Sequence, residues 1–469
     1  MTKRIEKDFL GEVKIPEDAY YGITTERVLQ DFKISGLNLN PKFLEAYIIL
    51  KKACALANMK IGRLDIKLGK AIVQGSDEIL SGKLRDQFKI DVFQMGAGTS
   101  FNMNCNEVLA NRANEILGSK KGDYKPINPN DHVNMSQSTN DTFPTAMRIA
   151  ILLKLKDLDP ELKKLEKSFQ EKATQFDNIV KAGRTHLQDA VPIRLGQEFR
   201  AYSQTVSKSR RIIQTAGESC REIGIGGSAT GTGLNTTIGY REEVLNQLNK
   251  MTTLNLKQAE DLREIMQSQS AVAEISASLR NLALELTRIS NDLRLLSSGP
   301  TTGLAEIRLP AIVAGSSIMP GKINPSILEM LGMVGFQVVG NDLTISMAVQ
   351  AGQLELNVMM PVMAFNILFS IEILTNAIRL TRTKCIDGIE ADKAKCKHYA
   401  DTTLGLATIL NPIIGYKTAS EIVKHAIKEE KTILNVLREK QILPEEDITK
   451  LLNTSKMTKP PPTQNKKKN

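Results

Sequence analysis

Residues 272–296 read VAEISASLRNLALELTRISNDLRLL, and this stretch decides the fold class. Val272, Ile275, Leu279, Leu282, Leu286, Ile289, Leu293 and Leu296 follow one another at spacings of 3, 4, 3, 4, 3, 4 and 3. That is the period of an apolar seam along one face of a long helix. No proline occurs between Pro192 and Pro300, and proline is the residue that breaks helix interiors. Upstream, between Pro160 and Pro192, Leu162, Leu165, Phe169, Ala173, Phe176 and Val180 repeat the pattern. Downstream, residues 326–350 and 362–384 are Pro-free and apolar on more than one face, as buried helices are. The expected fold is all-α, with a central bundle of long helices packed in an oligomer. Strand signals are few and confined to residues 9–22.

The rest of the chain is consistent with that centre. Its 469 residues allow about three domains. The expected partition is an N-terminal domain over 1–140, the long-helix bundle over 141–396, a small helical C-terminal domain over 397–455, and a disordered basic tail over 456–469. Hydrophobic residues at 41% and charged residues at 24% exclude disorder for the body. The net charge of +10 owes five lysines to the tail, leaving +5 on residues 1–455, so nucleic acid is not an expected partner. Deleting the tail is expected to leave activity unchanged. Five cysteines with no CxxC, and four histidines with no HExxH, imply neither a disulfide framework nor a zinc site. No metal or cofactor is expected. With no signal peptide and no run of 18 uncharged apolar residues, no membrane span is expected and a cytoplasmic location is the default.

Four polar segments interrupt the helical pattern. QMGAGTSFNMNCNEVLANRA (94–113) has two glycines that let backbone approach a ligand, then Thr99, which could cap the following helix. NMSQSTNDTFP (134–144) gathers Ser138, Thr139 and Asn140 among other neutral donors suited to a carboxylate or an amine. AGRTHLQDAVP (182–192) places Thr185 beside His186. GSSIMPGKINP (315–325) sets Ser316 and Ser317 near Lys322 and Asn324 on a Gly-flanked loop, where a serine could act as nucleophile or base. The GxSxG elbow and the GxxxxGK[ST] phosphate loop are both missing. A separate Gly-rich stretch, GGSATGTGLN within 221–240, reads as a loop between helices. Composition and spacing point to a cofactor-independent helical enzyme acting on a small polar anion, without naming the reaction.

All four segments together resemble the aspartase/fumarase superfamily, whose signature loop is GSSxMPxKxN. The resemblance runs from FLGEVKIPEDAYYGITTERV (9–28) to LNPIIGYKTASEIV (410–423). DAYYGI (18–23), SQSTND (136–141), QAGQLELNVM (350–359) and LNPIIGY (410–416) resemble the aspartase branch. The resemblance implies a three-domain, nearly all-α fold. It also implies a homotetramer whose active sites draw on three chains, and reversible deamination of L-aspartate to fumarate and ammonia. It assigns Thr99, Ser138, Thr139 and Ser317 to the β-carboxylate of this dicarboxylate substrate. Lys322 and Asn324 are assigned to the α-carboxylate, and Asn140, Thr185 and His186 to the departing amine. Ser316 is the implied general base, with His186 and Lys322 completing the catalytic set. Glu329 corresponds to the carboxylate that pairs with the active-site histidine in fumarases. Two departures stand out. The aspartase segment NVMEP reads Asn357-Val358-Met359-Met360-Pro361 here, and SGPRxG reads Ser298-Gly299-Pro300-Thr301-Thr302-Gly303. The alternatives are fumarate hydratase, which eliminates water in the same way, and a non-catalytic structural member.

Overall fold

The computed structural model describes residues 2–458. Its helices run α1 Ile23–Asp31, α2 Pro41–Lys60, α3 Ile66–Leu80, α4 Thr99–Ile116, α5 Thr139–Gln175, α6 Leu195–Ser219, α7 Tyr240–Thr252, α8 Leu262–Gln267, α9 Ser270–Leu296, α10 Ser326–Gln350, α11 Met360–Lys384 and α12 Lys393–Thr402. Short helices follow to Met457. Strands are minor: the antiparallel hairpins β1–β2 (Lys3–Asp8, Gly11–Pro16) and β3–β4 (Val180–Thr185, Gln188–Arg194), and two-residue pairings elsewhere. The all-α expectation holds.

The heptad stretch is one helix, α9, and all eight seam residues are buried. They are buried within the single chain, so this seam does not await a partner. The unsatisfied apolar face lies on α10. There Met333, Phe336, Gly340, Leu343 and Met347 repeat at 3, 4, 3 and 4, and the four side chains are 63%, 69%, 65% and 56% exposed. Helix α11 is long and apolar enough to cross a membrane by length and composition, which the sequence reading did not anticipate. Yet 67% of its apolar window is buried in the protein, as befits a core helix.

Two compact units share the chain, each discontinuous: residues 1–160, 209–283 and 334–375 in one, and residues 161–208, 284–333 and 376–469 in the other. The sequence reading drew its limits at 140/141 and 396/397, and both fall inside helices, α5 and α12. Helix α5 also continues through Pro144 and Pro160. A proline removes one backbone hydrogen bond per site, a loss that flanking buried turns such as Leu158, Leu162 and Leu165 offset. Of the tail expected from 456 onward, Lys456 sits instead in a helical turn, Thr454–Met457, and the Thr458 carbonyl accepts from Gln197 Nε2 at 2.9 Å. The remainder of that tail lies outside the described residues. All five cysteines are buried free thiols.

In the first unit an aromatic cluster fixes the site-bearing segments. Phe43 packs on Tyr47, Phe101 and Phe143 with centroids 5.6, 5.2 and 4.8 Å away. Phe101 follows Thr99 on α4, and Phe143 follows Thr139 on α5. A Cβ on Gly98 would lie 2.1 Å from the Phe143 ring, and Gly98 has φ +82, so only glycine fits where α4 begins against α5. In the second unit the C-terminal helices carry their own small core around Leu406, Leu410, Ile422, Val436 and Leu437.

Candidate active site

In the first unit Gly98, not Thr99, occupies the N-cap of α4. Thr99 is the first helical residue, and no side chain caps the helix. The expected capping role is therefore not taken up. The Thr99 hydroxyl has no hydrogen-bond partner among the described residues, so it is available at the positive end of the helix.

The second segment ends at the start of α5. The Ser138 N–H donates to Asp141 Oδ1 at 2.9 Å, and the Asn140 N–H donates to Ser138 Oγ at 3.3 Å, a reciprocal capping arrangement. Asn140 Nδ2 donates to the Ala229 carbonyl at 2.8 Å. Asp141 Oδ2 accepts from the Gly226 and Ser228 N–H groups at 3.0 and 2.9 Å. Burial pushes the Asp141 carboxyl up to about 7, against the opposing pull of those three N–H donors and of Lys51.

Beneath the same turn lies Lys51, fully buried and without a carboxylate partner. Its Nζ donates to Asn134 Oδ1 and Gln137 Oε1 at 3.0 and 2.9 Å. Burial brings this ammonium down to about 8. Asn134 Oδ1 also accepts from Asn102 and Asn106 of α4. The segments carrying Thr99 and Ser138–Asn140 are thus locked together by one polar network. Sequence reading missed Lys51 and Asp141. A lysine in an apolar helix face, LKKACALAN, was the available signal.

In the second unit Thr185 ends β3, and Thr185 pairs with Gln188 across the hairpin. His186 and Leu187 form the two-residue turn with φ +56 and +58. Such turns ordinarily take Asn or Gly at both positions. Two side chains held left-handed at an exposed tip mark stored strain, which persists where the surroundings over-determine it. Along β3, below that tip, lies a buried ionic cluster. Lys181 Nζ lies 2.9 Å from Glu198 and 3.2 Å from Glu306, and Arg184 reaches both Glu306 oxygens at 3.0 Å. The Arg184 guanidinium also stacks over Tyr399 at 5.3 Å.

The fourth segment is a self-bonded loop. The Gly315 N–H donates to the Lys322 carbonyl at 2.8 Å, and Asn324 Nδ2 donates to the Gly315 carbonyl at 2.7 Å. Ser316 Oγ accepts from the Ile318 and Met319 N–H groups at 3.2 and 3.0 Å. Ser317 and Lys322 are exposed. No hydrogen bond or ion pair joins His186 to Glu329 within the chain, so that anticipated pair is not formed by the single chain described. Thr99, Ser138, Thr139 and Asn140 fall in the first unit, and Thr185, His186, Ser316, Ser317, Lys322 and Asn324 in the second.

Of the two departures, Met360 is fully buried at the start of α11. An unpaired carboxylate there would carry a large desolvation cost. Thr301 is exposed in the loop after α9.

A lyase family matches residues 11–340, and a family described as the fumarase C C-terminus matches residues 406–459. An aspartate ammonia-lyase of Bacillus subtilis (strain 168) is 48% identical over 97% of this chain and 96% of its own length. Among solved structures, a fumarate lyase:delta crystallin from Brucella melitensis bound to cobalt superposes with TM-score 0.94 at 45% identity. The match covers 98% of this chain and 100% of that one. A recombinant class II fumarase from Schistosoma mansoni gives TM-score 0.95 at 37% identity, covering 97% and 99%.

Proposed function

We propose that this chain, which belongs to the aspartase/fumarase superfamily of lyases, converts L-aspartate reversibly into fumarate and ammonia. The observation that carries the reading is its 48% identity to the Bacillus subtilis aspartate ammonia-lyase along nearly the whole of both chains. The difficult step is removal of a weakly acidic proton from the carbon beside the β-carboxylate. The electron pair left behind is tolerable only when delocalised into that carboxylate as an enediolate. It then forms the double bond as the C–N bond breaks and ammonia leaves. Donors placed in advance around the carboxylate lower this barrier most.

In this reading Thr99, Ser138, Thr139 and Ser317 hold the β-carboxylate. Lys322 and Asn324 hold the α-carboxylate, and Asn140, Thr185 and His186 surround the amine. Ser316 is the base. A hydroxyl is a poor base near neutral pH. Two backbone N–H groups directed at Ser316 Oγ support an alkoxide there, and the Lys322 charge adds to them when the loop closes over substrate. Closure also expels water and strengthens each charge interaction.

The assembly belongs to the same proposal: a homotetramer with each active site drawn from three chains. It is supported by the exposed apolar repeat on α10. The exposure of Thr185, His186, Ser317 and Lys322 in the lone chain supports it further. A cytoplasmic setting suits five buried free thiols.

The test follows fumarate by ultraviolet absorbance with L-aspartate in one cuvette and L-malate in another. Fumarate from L-aspartate alone is expected. Fumarate from L-malate alone moves the chain to the hydratases, a reading favoured by its likeness to the Schistosoma fumarase. Silence in both, from an assembled protein, makes it a non-catalytic member.

A further inference from the structure

The glycine-rich loop that the sequence left without a role is tied to the active-site turn by two independent sets of bonds. Asp141 accepts the Ser138 N–H with one carboxylate oxygen, and the Gly226 and Ser228 N–H groups with the other. Beside it, Asn140 Nδ2 donates to the Ala229 carbonyl at 2.8 Å. The loop is rigid in its own right. The Gly231 and Gly233 N–H groups both close on the Gly227 carbonyl at 3.0 Å. Gly226, Ser228, Gly231 and Gly233 all sit at positive φ, and a Cβ on Gly231 would lie 2.6 Å from Arg263 Cα.

A carbonyl oxygen can only accept. The face of the Asn140 amide turned to Ala229 must therefore be its NH2, which directs Oδ1 the other way. That oxygen has no hydrogen-bond partner among the described residues. We propose that loop Gly226–Gly233 is the positioning element for the substrate's amino group, because Ala229 sets the Asn140 amide with Oδ1 as a free acceptor for the ammonium. The inference rests on the aspartate reading and deepens it: carboxylate binding belongs to other residues, and this loop governs the amine alone.

Succinate tests it, since it carries both carboxylates and no amine. Gly231→Ala sets a Cβ 2.6 Å from Arg263 Cα at a φ of +84, and so displaces the loop while leaving the Ser138–Asp141 bond in place. Ser228→Pro deletes one N–H donor to Asp141 and forbids the φ of +59 at a part-exposed position, so it disturbs the same loop by a second route. In each variant KM for L-aspartate should rise about tenfold or more, as loss of a hydrogen bond to a charged group implies. The inhibition constant of succinate should stay within about twofold. Variants that weaken both ligands alike, or that leave L-aspartate unchanged, overturn the inference. Absence of fumarate from L-aspartate in the unsubstituted protein is a separate outcome, and it removes the functional reading on which the inference depends.

Discussion

At the scale of single residues, two groups carry the argument: Ser316 on its loop, and Asp141, which holds the Ser138–Asn140 turn to the glycine-rich loop. Ser316→Ala deletes the oxygen that Ile318 and Met319 address, while leaving the backbone of the loop able to form the Gly315–Lys322 bond. Turnover of L-aspartate should fall by several orders of magnitude with assembly intact; near-normal turnover would remove Ser316 from the role of base. Asp141 gives a pH signature. An unfolded aspartate titrates near 3.9, and burial raises the folded carboxyl to about 7. Between those values the folded chain keeps a proton that the unfolded chain has released. Stability therefore falls as pH rises from about 4 to 7, by up to about 4 kcal/mol from this group. Denaturant unfolding at pH 5 and pH 7.5 should show the difference shrink in Asp141→Asn; an unchanged slope would mean that the carboxyl is ionised throughout. Ser316, Lys322 and Asn324 were legible because one loop carries them all. Asp141 and Lys51 were not, since their importance lies in being buried among neutral partners, and burial depends on contacts distant in sequence.

Elements rather than residues decide where the histidine stands. The β3–β4 hairpin holds His186 and Leu187 left-handed at its tip, against their preference, and the Lys181–Glu198–Glu306–Arg184 cluster anchors its base. Glu306 is fully buried between two cations. Removing it leaves Arg184 without its carboxylate and Lys181 with Glu198 alone. Glu306→Ala should cost about 3–5 kcal/mol of stability, the usual result of breaking a buried ion pair. Thermal unfolding of the variant beside Glu306→Gln, which keeps two hydrogen-bonding atoms, checks the mechanism. Equal losses in the two would point to the lost charge, and a much smaller loss in Glu306→Gln to cavity formation instead. Sequence foresaw the long helices here better than the hairpin. An eight-position repeat over 272–296 admits one structure, α9, whereas a two-residue turn made of histidine and leucine carries none of the Asn-Gly chemistry that announces such turns. Helix α5 likewise ran past Pro160, because the pattern on either side of that proline is buried on one continuous helix.

For the molecule as a whole, the decisive asymmetry is between two apolar repeats. The one on α9 is consumed inside the chain, and the one on α10 is presented to solvent. Monomeric proteins rarely leave a helix-long apolar face uncovered. Burying Phe336, Leu343 and the two flanking methionines against further copies of the same helix would offset that exposure. Gly332 and Gly340, beside which an added Cβ would meet nothing within 4 Å, leave room for close approach. Phe336→Glu combined with Leu343→Glu alters only positions already exposed in the chain, so each chain should still fold. The assembly should dissociate, because charges brought face to face across an apolar seam repel and lose hydration together. Sedimentation would report the loss of assembly, and the fumarate assay its consequence. If each site is drawn from several chains, activity should disappear with the oligomer. A variant that sediments as a single chain yet converts L-aspartate at the parent rate would show that one chain brings Thr99, Asn140, His186 and Ser316 together by itself, and the shared-site proposal would then fail.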